Sequence, residues 1–320
     1  MHPPDLPDDA QSGAVIPAHA DHHARAANIR GAVLMIVSTL TFVANDTVMK
    51  FVVQELPLYE SMALRGAFVL PLLAAYALYS GALSLRIPRR DRGTLALRTV
   101  ADVVSSVLYL LALQQMPLAN LSAIIQSLPL LVTLAAAVFF GERLGPWRIG
   151  AILVGFVGVL IILRPGTAAF DVWSALAVAA VLLIALRDMV TRRFDAAVSS
   201  TTISIYAAGS VMLFALAMAP TEDWRLPTMA ETGLLMLSAA LITVGYMTAI
   251  ATMRVGEISF VAPFRYSSLI WAVMFGLLVF GEWPDLWTQI GSVLIVAAGL
   301  LTIWREGRVR PRTVKTPPVR

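Results

Sequence analysis

The chain has 320 residues, 58% of them hydrophobic and only 14% charged, with a mean hydropathy of +0.77. Such values lie outside those of soluble globular domains and exclude one very large water-facing core. Cysteine is absent, which excludes disulfides, a thiolate nucleophile, an iron–sulfur cluster and Cys-ligated zinc.

Residues 1–28 are rich in Pro, Asp, Ala and His and read as a disordered cytoplasmic tail. His19, His22 and His23 fall in it and read as solvated side chains rather than a metal site. The polar lead is long, so the first apolar stretch reads as a retained span and not a cleaved signal. Ten apolar helices are expected at about 30–51, 58–79, 95–115, 118–140, 147–164, 172–192, 199–219, 232–252, 258–280 and 286–304. Such lengths suit ~30 Å of hydrocarbon at ~1.5 Å per residue. Val103 to Gly141 is charge-free over twice a crossing, and Gln114-Gln115-Met116-Pro117 supplies the break. Residues 305–320 carry five arginines and a lysine against Glu306, a basic cytoplasmic tail suited to anionic lipid headgroups.

Two stretches are rough copies of two others. Gly141-Glu142-Arg143-Leu144-Gly145-Pro146-Trp147 is echoed by Gly281-Glu282-Trp283-Pro284-Asp285-Leu286-Trp287, and the run beginning at Phe42 by that beginning at Ala185. Shifted by one residue within these runs, Asp46 falls on Asp188 and Lys50 on Arg192. A period near 140 is too long for a solenoid and suits a duplicated membrane unit, with repeats over 29–164 and 165–304. Five helices per repeat is odd, so the second copy must enter the membrane inverted. With a cytoplasmic N-terminus, seventeen basic residues lie at inner positions against three outside, Lys50, Arg164 and Arg225. That bias puts both termini in the cytoplasm and accounts for the basic pI without nucleic acid. The Gly-rich stretches Gly150–Gly158 and Gly291–Gly299 permit close helix packing, although glycine is also ordinary filler in membrane helices.

Ionisable residues at membrane depth are expensive unless paired or wetted. Asp46 and Arg65 share a depth in the outer half. Asp102, Arg187, Asp188 and Arg265 share one in the inner half. Two readings follow: ion pairs holding the bundle, Asp46 with Arg65 and Asp102 or Asp188 with Arg265, or groups lining a path as gates. The equivalence of Asp46 and Asp188 places each in the gate on its own side. Glu60, near a helix end, is expected to snorkel. Asn45 precedes Asp46, and Asp102, Ser105, Ser106 and Tyr109 share a helix face. Gln126, Tyr246, Tyr266 and Trp271 add polar and aromatic groups, the composition of a cavity for a small organic solute with a ring. No histidine lies in a span, no metal-ligand cluster appears and no Gly-x4-Gly-Lys-Ser/Thr phosphate loop occurs, so a carrier is favoured over a membrane enzyme.

With ten spans, two five-helix repeats and a Gly-Glu turn after the fourth and ninth helices, residues 30–304 resemble the drug/metabolite transporter superfamily, EamA type. More locally, Ala44–Phe51, Glu60-x4-Arg65, Arg187–Phe194, Ala262–Tyr266 and Phe280–Asp285 are similar to its branch of S-adenosylmethionine uptake carriers. Riboflavin importers and amino-acid exporters belong to the wider group. The resemblance implies an all-α inner-membrane secondary carrier without cofactor, working on a small molecule by alternating access. It leaves open a coupling proton or exchange metabolite, and a monomer or homodimer.

Overall fold

A computed structural model describes residues 18–81, 86–140, 145–167, 170–195, 198–255 and 258–309. The turn at Glu142, the end of the basic tail and the side chains of His19, His22 and His23 lie outside the described residues. The described chain is all-helical: α1 (Ala18–Glu55), α2 (Leu58–Tyr79), α3 (Arg92–Gln115), α4 (Leu118–Ile125), α5 (Leu128–Phe140), α6 (Pro146–Leu163), α7 (Val172–Thr191), α8 (Ser200–Ala217), α9 (Met229–Val255), α10 (Ile258–Val261), α11 (Ser267–Phe280) and α12 (Leu286–Val309). Nine described helical segments are long and apolar enough to cross a membrane, and Thr201–Ala217 is a shorter tenth. Their limits follow the expected spans except at α1, which begins at Ala18 inside the stretch read as a tail. Alanines at 18, 20, 24, 26 and 27 favour helix there.

The termini of the helices are written in the sequence. Asp171 accepts from the Ser174 amide at 2.8 Å to cap α7, and Thr228 and Glu231 form a reciprocal capping box on α9. Asp285 caps α12 through the Thr288 amide and pairs with Arg164 at 2.6 Å, tying the end of α6 to the start of α12. Partial burial raises the Asp285 carboxyl, but the Thr288 bonds and the Arg164 charge outweigh it and hold it below its ordinary range.

Two spans are discontinuous, and they are the same span in each repeat. The fourth is α4 and α5, interrupted at Gln126 and Ser127. The ninth is α10 and α11, joined by a 3-10 turn over Ala262–Tyr266 in which Pro263 withholds its amide. Packing between the halves repeats the symmetry. Span one lies against span eight (α1 on α9) and span six against span three (α7 on α3). Equivalent spans pair with each other: α2 with α8, α4 with α11, α6 with α12. Each helix therefore finds its main partner in the opposite half, so neither half is a separate domain.

Large apolar side chains such as Leu153, Leu278 and Val293 are exposed around the bundle, and Tyr79, Trp147, Trp283, Trp287 and Trp304 sit at its ends. An apolar band with aromatic rims is the surface that lipid requires. The largest fully buried side chains cluster in the half away from the termini: Met49, Met62, Leu113, Leu118, Leu121 and Ile124.

Within the Gly-rich stretches, Gly158 and Gly291 are contact points and not filler. A Cβ on Gly158 would lie 2.7 Å from the Gly291 carbonyl oxygen, and one on Gly291 would lie 2.5 Å from the Gly158 carbonyl oxygen. A backbone oxygen can yield only if α6 and α12 separate. Gly158→Ala and Gly291→Ala should each cost about 1–3 kcal/mol of stability. Gly150→Ala, with nothing within 4 Å of its Cβ, should be neutral. Thermal unfolding in detergent checks this, and equal losses at all three positions would contradict the contact.

Candidate functional site

Between spans one to four and six to nine lies a cavity of about 450 Å³. Its lining extends from Met62 and Leu110 through Asp46, Arg65, Asp102 and Tyr109 to Leu73, Arg98 and Thr191, toward the face bearing the termini. Asn45, Gln126, Arg187, Asp188, Tyr246 and Arg265 also line it. Tyr266 and Trp271, expected there, do not. Tyr266 follows Arg265 in the 3-10 turn, so its side chain is rotated by ~120°. Its phenol instead lies over Gly299 of α12, where a Cβ would clash with the hydroxyl. The Trp271 ring packs on the central apolar cluster.

The two broken spans meet at this cavity. The buried Gln126 side chain donates from Nε2 to the Arg265 carbonyl oxygen at 3.1 Å, joining break to break. Ser127 Oγ returns to the Ile124 carbonyl at 2.6 Å. A side chain thus supplies what the helical ladder has lost, which low dielectric requires.

Charge is arranged in two ways. Near the face bearing the termini, Arg187 bonds Asp102 at 3.0 Å and Asp188 at 3.0 Å. Arg98 approaches Asp102 at 3.5 Å and donates to Thr191 Oγ1 at 3.0 Å. This network fastens α3 to α7. Arg98 was absent from the sequence-based candidates, because a residue seven positions into α3 reads as a helix-end snorkeller. Deeper in, Asp46 accepts from Tyr109 at 2.6 Å and from Asn45 at 3.1 Å, while Asn45 accepts from Ser238 of α9 at 2.7 Å. The expected Asp46–Arg65 pair does not form, nor does Arg265 pair with Asp102 or Asp188. Among the described residues, neither Arg65 nor Arg265 has a carboxylate within ion-pair distance. Phe42 and Tyr246 add an edge-to-face ring pair with centroids 5.3 Å apart.

One turn beyond Asp46, the path is shut on the other face. Gly281 takes φ +67° to end α11, with Glu282 N bonded back to the Gly276 carbonyl at 2.9 Å and Gly281 N to Leu277 at 3.1 Å. That left-handed αL cap is the physical reason for glycine in the Gly-Glu motif. It aims Glu282 at Lys50 Nζ, 2.5 Å away, while the second carboxylate oxygen accepts the Leu118 amide at the start of α4. Lys50 also donates to the Met116 carbonyl, and Gln114 to the Val53 carbonyl. Lys50 had been read as an exposed end residue but is 2% exposed. Glu60 likewise does not snorkel: it is buried and accepts the Arg225 amide at 3.2 Å, while Glu222 covers the Tyr59 amide at 2.9 Å.

Removing one partner of the Lys50–Glu282 pair leaves the other without compensation, at a cost of roughly 3–5 kcal/mol for a buried ion. Lys50→Met and Glu282→Gln should each destabilise strongly, and the double variant by clearly less than their sum. Thermal unfolding of the three proteins checks this, and additivity would mean that the contact carries no stability. For Asp46→Asn and Arg65→Gln the same cycle should show a smaller departure from additivity, since the two form no ion pair and interact only through space.

A solved structure described only as "Crystal structure of protein" superposes with a TM-score of 0.62, covering 90% of this chain and 99% of that one at 19% identity, which supports the fold. The riboflavin transporter of Vibrio cholerae is 27% identical, over 88% of this chain and 96% of its own length. The S-adenosylmethionine uptake transporter of Rickettsia bellii is 24% identical over 87% and 95%. The pseudopaline exporter CntI of Pseudomonas aeruginosa is 26% identical over 84% and 94%. The model of the EamA-like transporter family matches twice, over residues 29–164 and 172–304, in keeping with a duplicated unit. The chain belongs to the EamA-like transporter family: it is a multi-pass membrane transporter of small metabolites and not an enzyme.

Proposed function

We propose that the protein is a secondary carrier of the bacterial inner membrane, with both termini cytoplasmic, that takes up a ring-bearing amino-acid metabolite of the S-adenosylmethionine type. The observation that carries this reading is the mixed charge of the cavity. Four arginines (65, 98, 187 and 265) face three aspartates (46, 102 and 188) there, and two of the arginines have no carboxylate in reach. A carboxylate-bearing substrate suits that excess. Asp46, whose donors are both neutral, suits an ammonium or sulfonium centre. Phe42, Tyr109 and Tyr246 offer faces and edges to a heterocycle. The neutral isoalloxazine and ribityl chain of riboflavin would use the rings but leave the arginines unanswered.

Alternating access follows from the symmetry. Two inverted halves can exchange conformations, closing one face while opening the other. In this reading Lys50–Glu282 closes the outer face, and the Arg98–Asp102–Arg187–Asp188 network lines the inner mouth of the path. Asp46 and Asp188 act within these two gates.

The test is uptake of labelled S-adenosylmethionine into proteoliposomes, with riboflavin in parallel. Chemically unchanged S-adenosylmethionine should accumulate inside, and flux of riboflavin alone would overturn the substrate assignment. Arg265→Gln should reduce flux roughly tenfold, the loss expected when one positive charge that faces the path is removed. It should leave folding intact, since Gln126 holds the Arg265 carbonyl and not its side chain. Normal flux in the folded variant would remove Arg265 from the path.

A further inference from the structure

Helices α2 and α8 are equivalent spans packed on each other, and their contacts give a residue-by-residue correspondence. A Cβ on Gly66 would lie 2.7 Å from Met212 Cβ, and one on Gly209 would face Leu70 Cδ2 at 3.9 Å. Exchanging the halves sends Gly66 to Gly209 and, within one residue, Leu70 to Met212. The counterpart of Arg65 is then Ala207 or Ala208, both of which line the cavity. The same fold position holds an arginine in one half and an alanine in the other, so the helix packing itself makes no use of the guanidinium.

No ion pair among the described residues holds Arg65 either. No carboxylate lies within 4 Å of it, and the oxygens of nearby Asp46 are occupied by Tyr109 and Asn45. The other arginines at membrane depth in the first repeat and at the start of the second, Arg98 and Arg187, are both tied to Asp102. A cation at membrane depth is costly unless something answers its charge. Arg65 faces the cavity, and its planar fork suits a two-oxygen anion.

We infer that Arg65 is the anion subsite of the cavity and binds the carboxylate of the transported molecule. The inference rests on the cavity being the substrate path, and it breaks the symmetry of the carrier at one defined place. The substrate lies with its carboxylate toward α2, and its cationic and ring portions lie toward α1, α3 and α9, where Asp46, Tyr109 and Tyr246 are found.

Because the native chain has no cysteine, a single Ala208→Cys probe can read the field of Arg65 without any substrate. The full-length protein is purified in detergent at low salt, with Arg65 present, as Arg65→Gln and as Arg65→Lys. Each is reacted with the anionic sulfonatoethyl and the cationic trimethylammonium-ethyl methanethiosulfonates. The anion-to-cation rate ratio should fall roughly tenfold in Arg65→Gln and persist in Arg65→Lys, as expected for one unit charge at this range. An unchanged ratio overturns the inference. In proteoliposomes, S-adenosylmethionine should compete for flux at least ~10-fold better than its decarboxylated analogue, and Arg65→Gln should equalise the two. Should the rate ratio fall while the wild-type protein moves no S-adenosylmethionine, the substrate assignment fails and the anion subsite stands. Flux with neither readout sensitive to Arg65 leaves the carrier standing and removes the subsite.

Discussion

A helix in hydrocarbon can be interrupted only where something other than water satisfies the freed backbone groups. In this protein the interruptions fall in spans four and nine, and the Gln126 amide reaches across to the Arg265 carbonyl. Much of the site follows from that contact. It holds two opened helices face to face, lines a cavity with their irregular turns and sets Arg265 at the margin of that cavity. Pro263 makes the second interruption obligatory, and the two-residue turn at Gln126 is its counterpart in the first repeat.

Around the breaks, the halves are alike in frame and unlike in chemistry. Glycines allow α6 and α12 to touch at Gly158 and Gly291, and small residues repeat at Gly66 and Gly209 between α2 and α8. These contacts bring helices of opposite halves together at backbone distance. Side chains of the cavity depart from the symmetry: Arg65 falls on an alanine of α8, Ala207 or Ala208, and the two broken spans present Gln126 in one half and Arg265 in the other. A transported molecule is itself asymmetric, so its ligands belong among such departures. The ion pairs at the two ends differ from both. Lys50–Glu282 and Arg187–Asp102 each join spans from opposite repeats, so they form or break only when the halves move relative to each other.

Hydropathy, charge bias and the duplicated Gly-Glu motif made the spans, the repeat and most cavity residues legible in the sequence. Free-energy arguments at membrane depth select residues by height, and Asp46, Arg65, Asp102, Arg187, Asp188 and Arg265 were all found that way. Height does not give azimuth. Asp46 and Arg65 share a depth, yet Tyr109 from α3 occupies the Asp46 carboxylate, because α3 presents its polar face there. Tyr266 adjoins Arg265 and Trp271 lies further along the same span, and neither side chain lines the cavity. In the sequence Lys50 counts among the outer ends and loops and Glu60 is expected to snorkel, because both lie near helix ends. The loops between spans three and four, seven and eight, and nine and ten fold over those ends and bury them. Loop placement over a bundle leaves no periodic trace in a sequence, and for that reason the closure of one face was visible only in the structure.

The central claim is that closure on one face is coupled to opening on the other through the paired halves. Distances between spin-label pairs in the cysteine-free chain address it directly. Labels at Glu55 and Trp283 report the face closed by Lys50–Glu282, and labels at Arg92 and Arg192 report the face bearing the termini; all four positions are exposed. Releasing the latch with Glu282→Gln should lengthen the first distance and shorten the second. Changes of the same sign in both pairs, or lengthening confined to the first, would contradict the account.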